Sequence, residues 1–405
     1  MKTRGFTLLE LVVTLAILLI VIAAIFGVVQ GQQTAFYQGN LQRAAQSSAR
    51  AAFAYVEQRL AIAGYGMDAS LAFDFTSPVA PCPLSSCPRD ATNENDELVF
   101  YARNDRYWAP TDYAVEPVGN AWRITAGDAS SVTVNARAGD LFAKGRILQA
   151  VCAGGTYYAY FTVSTTTPVT TPGPLAIPLA PVVTANPFQR QDVMLATVTG
   201  NCFTGGQARL FLIDRYRFHV RPVTVNGAVI PYLVLDPGLD VNGDGWDANE
   251  EIIVAEGIET FQVAYEMTNS ALAARGSAPG TAIALTPDVL GATSGTGMST
   301  LVFPGTVTAS QTAYGPTSWF GYAVGPPAAS QRMTDHQANI RAVRVSLRAR
   351  APSPNPSGGA PGVLVPVLNQ DTLPAWIDPN VNYDRARVDA TIPVRNMIAR
   401  GLLDN

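Results

Sequence analysis

An almost unbroken apolar run fills positions 5–29, GFTLLELVVTLAILLIVIAAIFGVV, with one acid, Glu10, inside it and the basic residues Lys2 and Arg4 in front. The stretch 11–29 is long enough to cross a hydrocarbon core as a helix. From 30 to 63 the helical spacing continues and turns amphipathic. Leu41, Ala45, Ser48, Ala52, Tyr55 or Val56, and Leu60 recur on one side, while Gln42, Arg43, Gln46, Arg50, Glu57 and Arg59 occupy the others. A helix from Phe6 to about Ala63 would be about 85 Å long, with a second half suited to packing on a sheet. Gly27 and Gly31 lie inside it as tolerated softening points, and AGYG, residues 63–66, ends it.

Beyond the helix the period changes from helical to alternating. ELVFYAR (97–103), RILQAV (146–151) and TYYAYFTVS (156–164) are dense in β-branched and aromatic residues and predict strands, with TTTPVTTPGP (165–174) as a polar loop between elements. At 210–221, Leu210, Leu212, Tyr216, Phe218 and Val220 oppose Arg215, Arg217, His219 and Arg221, so His219 reads as a surface strand residue rather than a catalytic base. IRAVRVSLRAR (340–350) alternates in the same way, Val343, Val345 and Leu347 against Arg344, Arg348 and Arg350 on a solvated face. The stretch 68–96 is rich in Ala, Ser, Pro and Asp and reads as loop, and 268–335, with GATSGTGMST, PGTVTAS and AVGPPAAS, reads as loops around short strands.

A secretory signal peptide is the rival reading of the N-terminus, since a basic flank precedes an apolar segment. The length of the run, the lack of a small-x-small cleavage site and the acid inside its front end argue for an anchor. An ionisable group entering a bilayer needs a counter-charge or a proton, so Glu10 marks a contact. Lys2 and Arg4 put the short flank on the cytoplasmic side and the rest outside. Roughly 340 residues then form a head large enough for one sizeable core or two lobes. With 48% hydrophobic residues and a formal charge of −4 the chain is folded and mildly acidic, and without a broad basic stripe it does not suit nucleic acid.

The sharpest local motif is DVNGDGWDANEE, residues 240–251, which fits D-x-[DN]-x-[DN]-G-x5-E. Asp240, Asn242 and Asp244 would supply oxygens, Gly245 the turn, the Trp246 carbonyl another oxygen, and Glu251 the closing bidentate carboxylate, a donor set suited to Ca2+. Ala248 at the ninth place leaves that position to water. Strand-like flanks on both sides make this a lone loop rather than a helix-loop-helix sensor, and the competing reading is an acidic turn that binds nothing. Cys82 and Cys87, in PCPLSSCPRD, predict a small disulfide loop in an oxidising compartment, leaving Cys152 and Cys202 as the second pair with connectivity open. Two histidines, His219 and His336, and no hydrolase or phosphate-loop signature give no support to an enzyme.

GFTLLELVV (5–13) resembles the class III signal of type IV pilins and type II secretion pseudopilins. The resemblance implies that a prepilin peptidase cuts between Gly5 and Phe6 and methylates the Phe6 nitrogen. Glu10 then becomes the fifth mature residue and meets the Phe6 ammonium of a neighbouring subunit. LAIAGYG (60–66), EGIETFQVAYE (256–266), IRAVRVSL (340–347) and TIPVRNM (391–397) are similar to elements of PilW-type minor pilins, whereas 67–210 is less diagnostic. The family implies an α+β, pilin-like fold, a long N-terminal helix packed against an antiparallel sheet with an enlarged β-rich head. Its divisions would be a leader at 1–5, the helix at 6–63 and a periplasmic or extracellular head at 64–405. It also implies a minor pilin of pilus initiation and assembly near the tip. Its expected partners are other minor pilins, the major pilin, the peptidase, an inner-membrane assembly platform and a tip adhesin. A J-like minor pseudopilin of type II secretion, or an adhesion or DNA-uptake accessory, is the alternative.

Overall fold

The computed structural model describes residues 7–67, 72–73, 95–104, 131–152, 158–180, 208–245, 247–267, 340–355, 374, 376–377 and 381–397. Helix α1, Leu8–Leu60, runs unbroken for 53 residues, about 80 Å at 1.5 Å per residue. Its buried stripe is Leu41, Ala45, Ala49, Ala52, Val56 and Leu60. Ala49 takes the place that spacing had given to Ser48, which instead donates its hydroxyl to the Glu256 carbonyl. Alanines on this stripe bring the helix axis close to the strands beneath. The helix stops at Leu60 and Ala63 falls in the following turn, where Gly64 N–H donates to the Tyr101 carbonyl at 2.9 Å.

The first sheet has six strands: β1 (Leu98–Arg103), β4 (Ile147–Cys152), β5 (Tyr158–Thr162), β8 (Ala208–Val225), β9 (Ala228–Asp236) and β10 (Ile252–Glu256). Its order is β10-β9-β8-β4-β5, with β1 also paired to β8. A second sheet is β11 (Ile258–Met267), β12 (Ile340–Arg350) and β13 (Arg385–Pro393), in that order. Two short ribbons pair β2 (Ser131–Ala136) with β7 (Gly173–Pro178) and β3 (Leu141–Phe142) with β6 (Thr167–Pro168). Thus 165–174, expected as loop, contributes β6 and the start of β7. Every pairing among the described residues is antiparallel. The β8–β9 hairpin turns at Asn226 and Gly227, both at positive φ (51° and 81°), the geometry that suits an Asn-Gly two-residue turn.

Strand β8 is the spine. Its first half pairs with β4 and puts Leu210 and Leu212 into one apolar cluster with Val132, Phe142, Phe161 and Ile177. Its second half pairs with β1 and β9 and puts Tyr216 and Phe218 into another, beneath α1, with Phe100, Val56, Phe261 and Val345. Phe100 stacks on Tyr216 at 5.0 Å and 13°.

The opposite, charged faces are not solvated as their alternation suggested. Arg215 and Arg217 are buried at 8% and 5% exposure. Arg217 is bonded to Glu97 of the segment before β1 and, at 3.0 Å, to Asp236 of β9. Arg348 on β12 is buried at 5% beside the fully buried Glu259. Burial works to raise the Asp236 carboxyl, but the Arg215 and Arg217 charges and the Gly238 N–H outweigh it and hold the group below its ordinary value. Its contribution to stability is therefore complete above about pH 3.9, the unfolded-state value, and is lost as pH falls through the lower folded-state value. Urea denaturation from pH 7 to 2.5 should show this acid loss, and Asp236→Asn should be weaker at pH 7 with a flatter acid limb.

The two sheets join at Gly257. Its N–H donates to Pro231 of β9 at 2.7 Å, and its carbonyl accepts from Arg350 N–H of β12 at 2.8 Å. Its φ is 82°, and a Cβ built there would lie 2.6 Å from the Arg350 carbonyl oxygen. Gly257→Ala should cost about 2–4 kcal/mol, left-handed backbone plus a clash with main chain that cannot swing away. A urea midpoint unchanged from wild type would refute this.

Candidate functional site

Two places carry the predicted chemistry: the start of α1 and the loop between β9 and β10. At the first, Thr7 caps the helix. Its hydroxyl accepts from Glu10 N–H at 3.3 Å, and its own N–H and hydroxyl both donate to Glu10 Oε2 at 3.1 Å. This reciprocal capping box satisfies the carboxylate within its own helix. Thr7 was not singled out from the sequence, although T-x-x-E at 7–10 is the signature that would have found it. From Leu8 to Tyr37 every side chain is exposed. The helix is long and apolar enough to cross a membrane. Contact with the head begins at Tyr37, whose hydroxyl is 2.9 Å from Ser353 Oγ, and Gln38, whose amide donates to Asn355 at 3.5 Å. Gly5 and Phe6 lie outside the described residues.

The 240–251 loop is built between strands, as its flanks predicted, and is pinned at both ends. Asp240 pairs by backbone with Lys144, accepts from Lys144 Nζ at 3.3 Å through Oδ2, and takes Gly243 N–H on Oδ1 at 2.7 Å. The Thr166 hydroxyl donates to its carbonyl at 2.5 Å. Asn242 donates its amide to Asp244 Oδ2 at 2.9 Å, and Gly245 turns the chain at φ 111°. Trp246 lies outside the described residues. At the far end Glu251 is held on β8, 3.3 Å from His219 Nε2 and 2.5 Å from Arg221 Nη1. Glu250 reaches back across the loop, its Oε1 accepting from Val241 N–H at 2.5 Å. Among the described residues no three His, Cys, Asp or Glu side chains converge as a metal centre. His219, 16% exposed, stands on its strand beside the Glu251 carboxylate.

Cys82, Cys87 and Cys202 lie outside the described residues, as does the Cys152 side chain; only the Cys152 backbone, in β4 opposite Ala208, is described.

The family model for the prokaryotic N-terminal methylation motif matches residues 1–26. No curated protein and no solved structure matches the chain. With that motif running into a long apolar helix whose second half is seated on antiparallel sheets, the chain is similar to the broad type IV pilin and pseudopilin superfamily in its N-terminal signal and in its pilin-like α+β architecture.

Proposed function

We propose that this chain is a PilW-type minor pilin that takes part in initiating and assembling the type IV pilus, at or near its tip. The observation that supports the reading is the division of α1. Residues 8–37 are exposed and acid-free apart from Glu10, almost wholly apolar as far as Val29, while from Leu41 onward one stripe of the helix, Leu41, Ala45, Ala49, Ala52, Val56 and Leu60, is buried against a large head. Such a helix finds cover first in lipid and then against the helices of other subunits. In the mature protein, cut between Gly5 and Phe6, the methylated Phe6 ammonium of one subunit meets Glu10 of the next. The head faces the periplasm before assembly and the cell surface afterwards. Other minor pilins, the major pilin, the assembly platform and a tip adhesin are the partners of this reading. A head of this size suits an end position better than a repeated shaft position.

The test is surface-pilus recovery from a deletion strain, with and without the wild-type gene. Loss of pili restored by complementation is expected. Normal pilus yield in the deletion strain rejects the assembly role; if secretion of exported proteins fails instead, the J-like pseudopilin reading takes its place. Intact pili that no longer attach point to an adhesion role.

The 240–251 loop is, on the same reading, a structural Ca2+ site that clips the β9–β10 connection to the head. Asp240, Asn242, Asp244 and the Trp246 carbonyl lie at the spacing of a calcium loop, with Glu251 at the twelfth position to close it. The all-oxygen donor set fits a hard divalent cation, which would have to displace the Lys144 ammonium from Asp240. Bound metal would neutralise the acidic loop and hold its two ends together.

A further inference from the structure

Strand β10 ends the first sheet and, among the described residues, pairs with β9 alone. Successive residues of a strand face opposite sides, yet Ile252 and Ile253 are both open, at 49% and 56% exposure. The start of this edge strand is therefore uncovered on both faces, the form of edge that other chains pack against. Exposed acids stand on either side of the two isoleucines, Asp247 before them and Glu256 after them, and among the described residues neither has a cation partner.

The outward face of α1 has the complementary chemistry. Phe36 is 70% exposed, and Arg43 and Arg50 follow at seven-residue steps of about 10.5 Å each, on the side of the helix away from its buried stripe. These two arginines are the only charged residues between Glu10 and Glu57, and among the described residues neither has an ion-pair or hydrogen-bond partner for its side chain. The head, residues 64–405, holds 22 basic and 29 acidic residues, so this stripe is a basic strip on an acidic molecule.

We propose that the two surfaces meet between copies of this chain. The β10 edge of one subunit packs on the outward stripe of a second, Ile252 and Ile253 against Phe36 and the helix beyond it, Asp247 and Glu256 against Arg43 and Arg50. This goes beyond the pilin reading, which leaves the partner of this stretch of α1 open. Edge against edge would oppose acids and stripe against stripe would oppose arginines, so charge selects the mixed contact. Because the two surfaces are different patches of one chain, the contact is head-to-tail and leaves one of each unfilled, an arrangement that extends to a ring or an open filament.

Two differently tagged full-length copies mixed in detergent micelles test this, one of them carrying the photocrosslinking residue benzoylphenylalanine at position 253. Illumination should join the two tags, with the adduct mapping by peptide mass spectrometry to residues 36–50 of the second copy. Arg43→Glu/Arg50→Glu in that copy should lower the yield about 10-fold, Asp247→Arg/Glu256→Arg in the probe-bearing copy should do the same, and combining the two should bring it back to within about 3-fold of wild type. Arg43→Lys/Arg50→Lys should retain the adduct, and added salt should weaken it. No adduct between the tags, an adduct mapping elsewhere, or a charge swap that fails to restore the yield overturns the proposal. Pilus recovery from the deletion strain is a separate readout, so loss of this contact leaves the assembly role standing, and loss of the assembly role leaves this contact standing.

Discussion

Glu259→Ala should destabilise the head by about 3–5 kcal/mol, the range for removing one partner from a buried ion cluster. Glu259 is fully buried at the start of β11. Arg385 of β13 grips it with two hydrogen bonds at 2.7 and 3.2 Å, and Arg348 and Arg350 of β12 stand 3.6 and 3.8 Å away. One carboxylate thus serves three guanidinium groups, and its removal leaves all three facing each other in a shielded place. Burial already pushes the Arg348 guanidinium below its ordinary value against the pull of Glu259, and Arg385 and Arg387 add to that push. Glu259→Gln keeps an acceptor but no charge and should fall between alanine and wild type. Urea unfolding of the full chain in micelles measures this; a loss below about 1 kcal/mol in the alanine variant would show that these pairs act like exposed ones.

Glu10→Ala should leave membrane insertion and protein level unchanged and reduce incorporation into filaments by about two orders of magnitude or more, the equivalent of roughly 3 kcal/mol lost from a desolvated charge pair. The capping box makes the test sharper. Glutamine at the third helical position caps nearly as well as glutamate, so Glu10→Gln preserves the Thr7 contacts seen within the subunit and removes only the charge. If Glu10 acts by meeting the Phe6 ammonium of a neighbour, Gln should behave like Ala. If it acts only by closing its own helix, Gln should assemble normally and Thr7→Val should fail. Fractionation of membranes and sheared filaments with quantitative blotting separates these outcomes.

The long helix and most of the strands were legible from local pattern because local pattern is what decides them. The apolar stripe from Leu41 to Leu60, the alternation at 210–221 and 340–350, and the strand-like flanks of the acidic loop each appear as elements at or near the expected bounds. The polar faces were misread for a definite reason. A strand face lined with arginine looks solvent-facing when its partners are far away in sequence: Glu97 is 120 positions from Arg217, and Glu259 is 126 from Arg385. Period reveals which side chains share a face, but the acids that pair with a face come from other strands. At the candidate sites the same division holds. Glu10 stood out as a lone acid in an apolar run, whereas the pairing of Glu251 with His219 and Arg221 depends on where β10 begins and what β8 offers it.

The seat of α1 has a mechanical consequence. The helix touches β10 of one sheet and β12 and β13 of the other, and Gly257 fastens those sheets backbone to backbone. A pull along a filament would enter the head through the helix and divide between two sheets, loading rows of antiparallel hydrogen bonds together instead of peeling one strand at a time. The weakest link under such tension would be the Gly257 junction, so Gly257→Ala should lower the force at which the head yields more than it lowers resistance to urea.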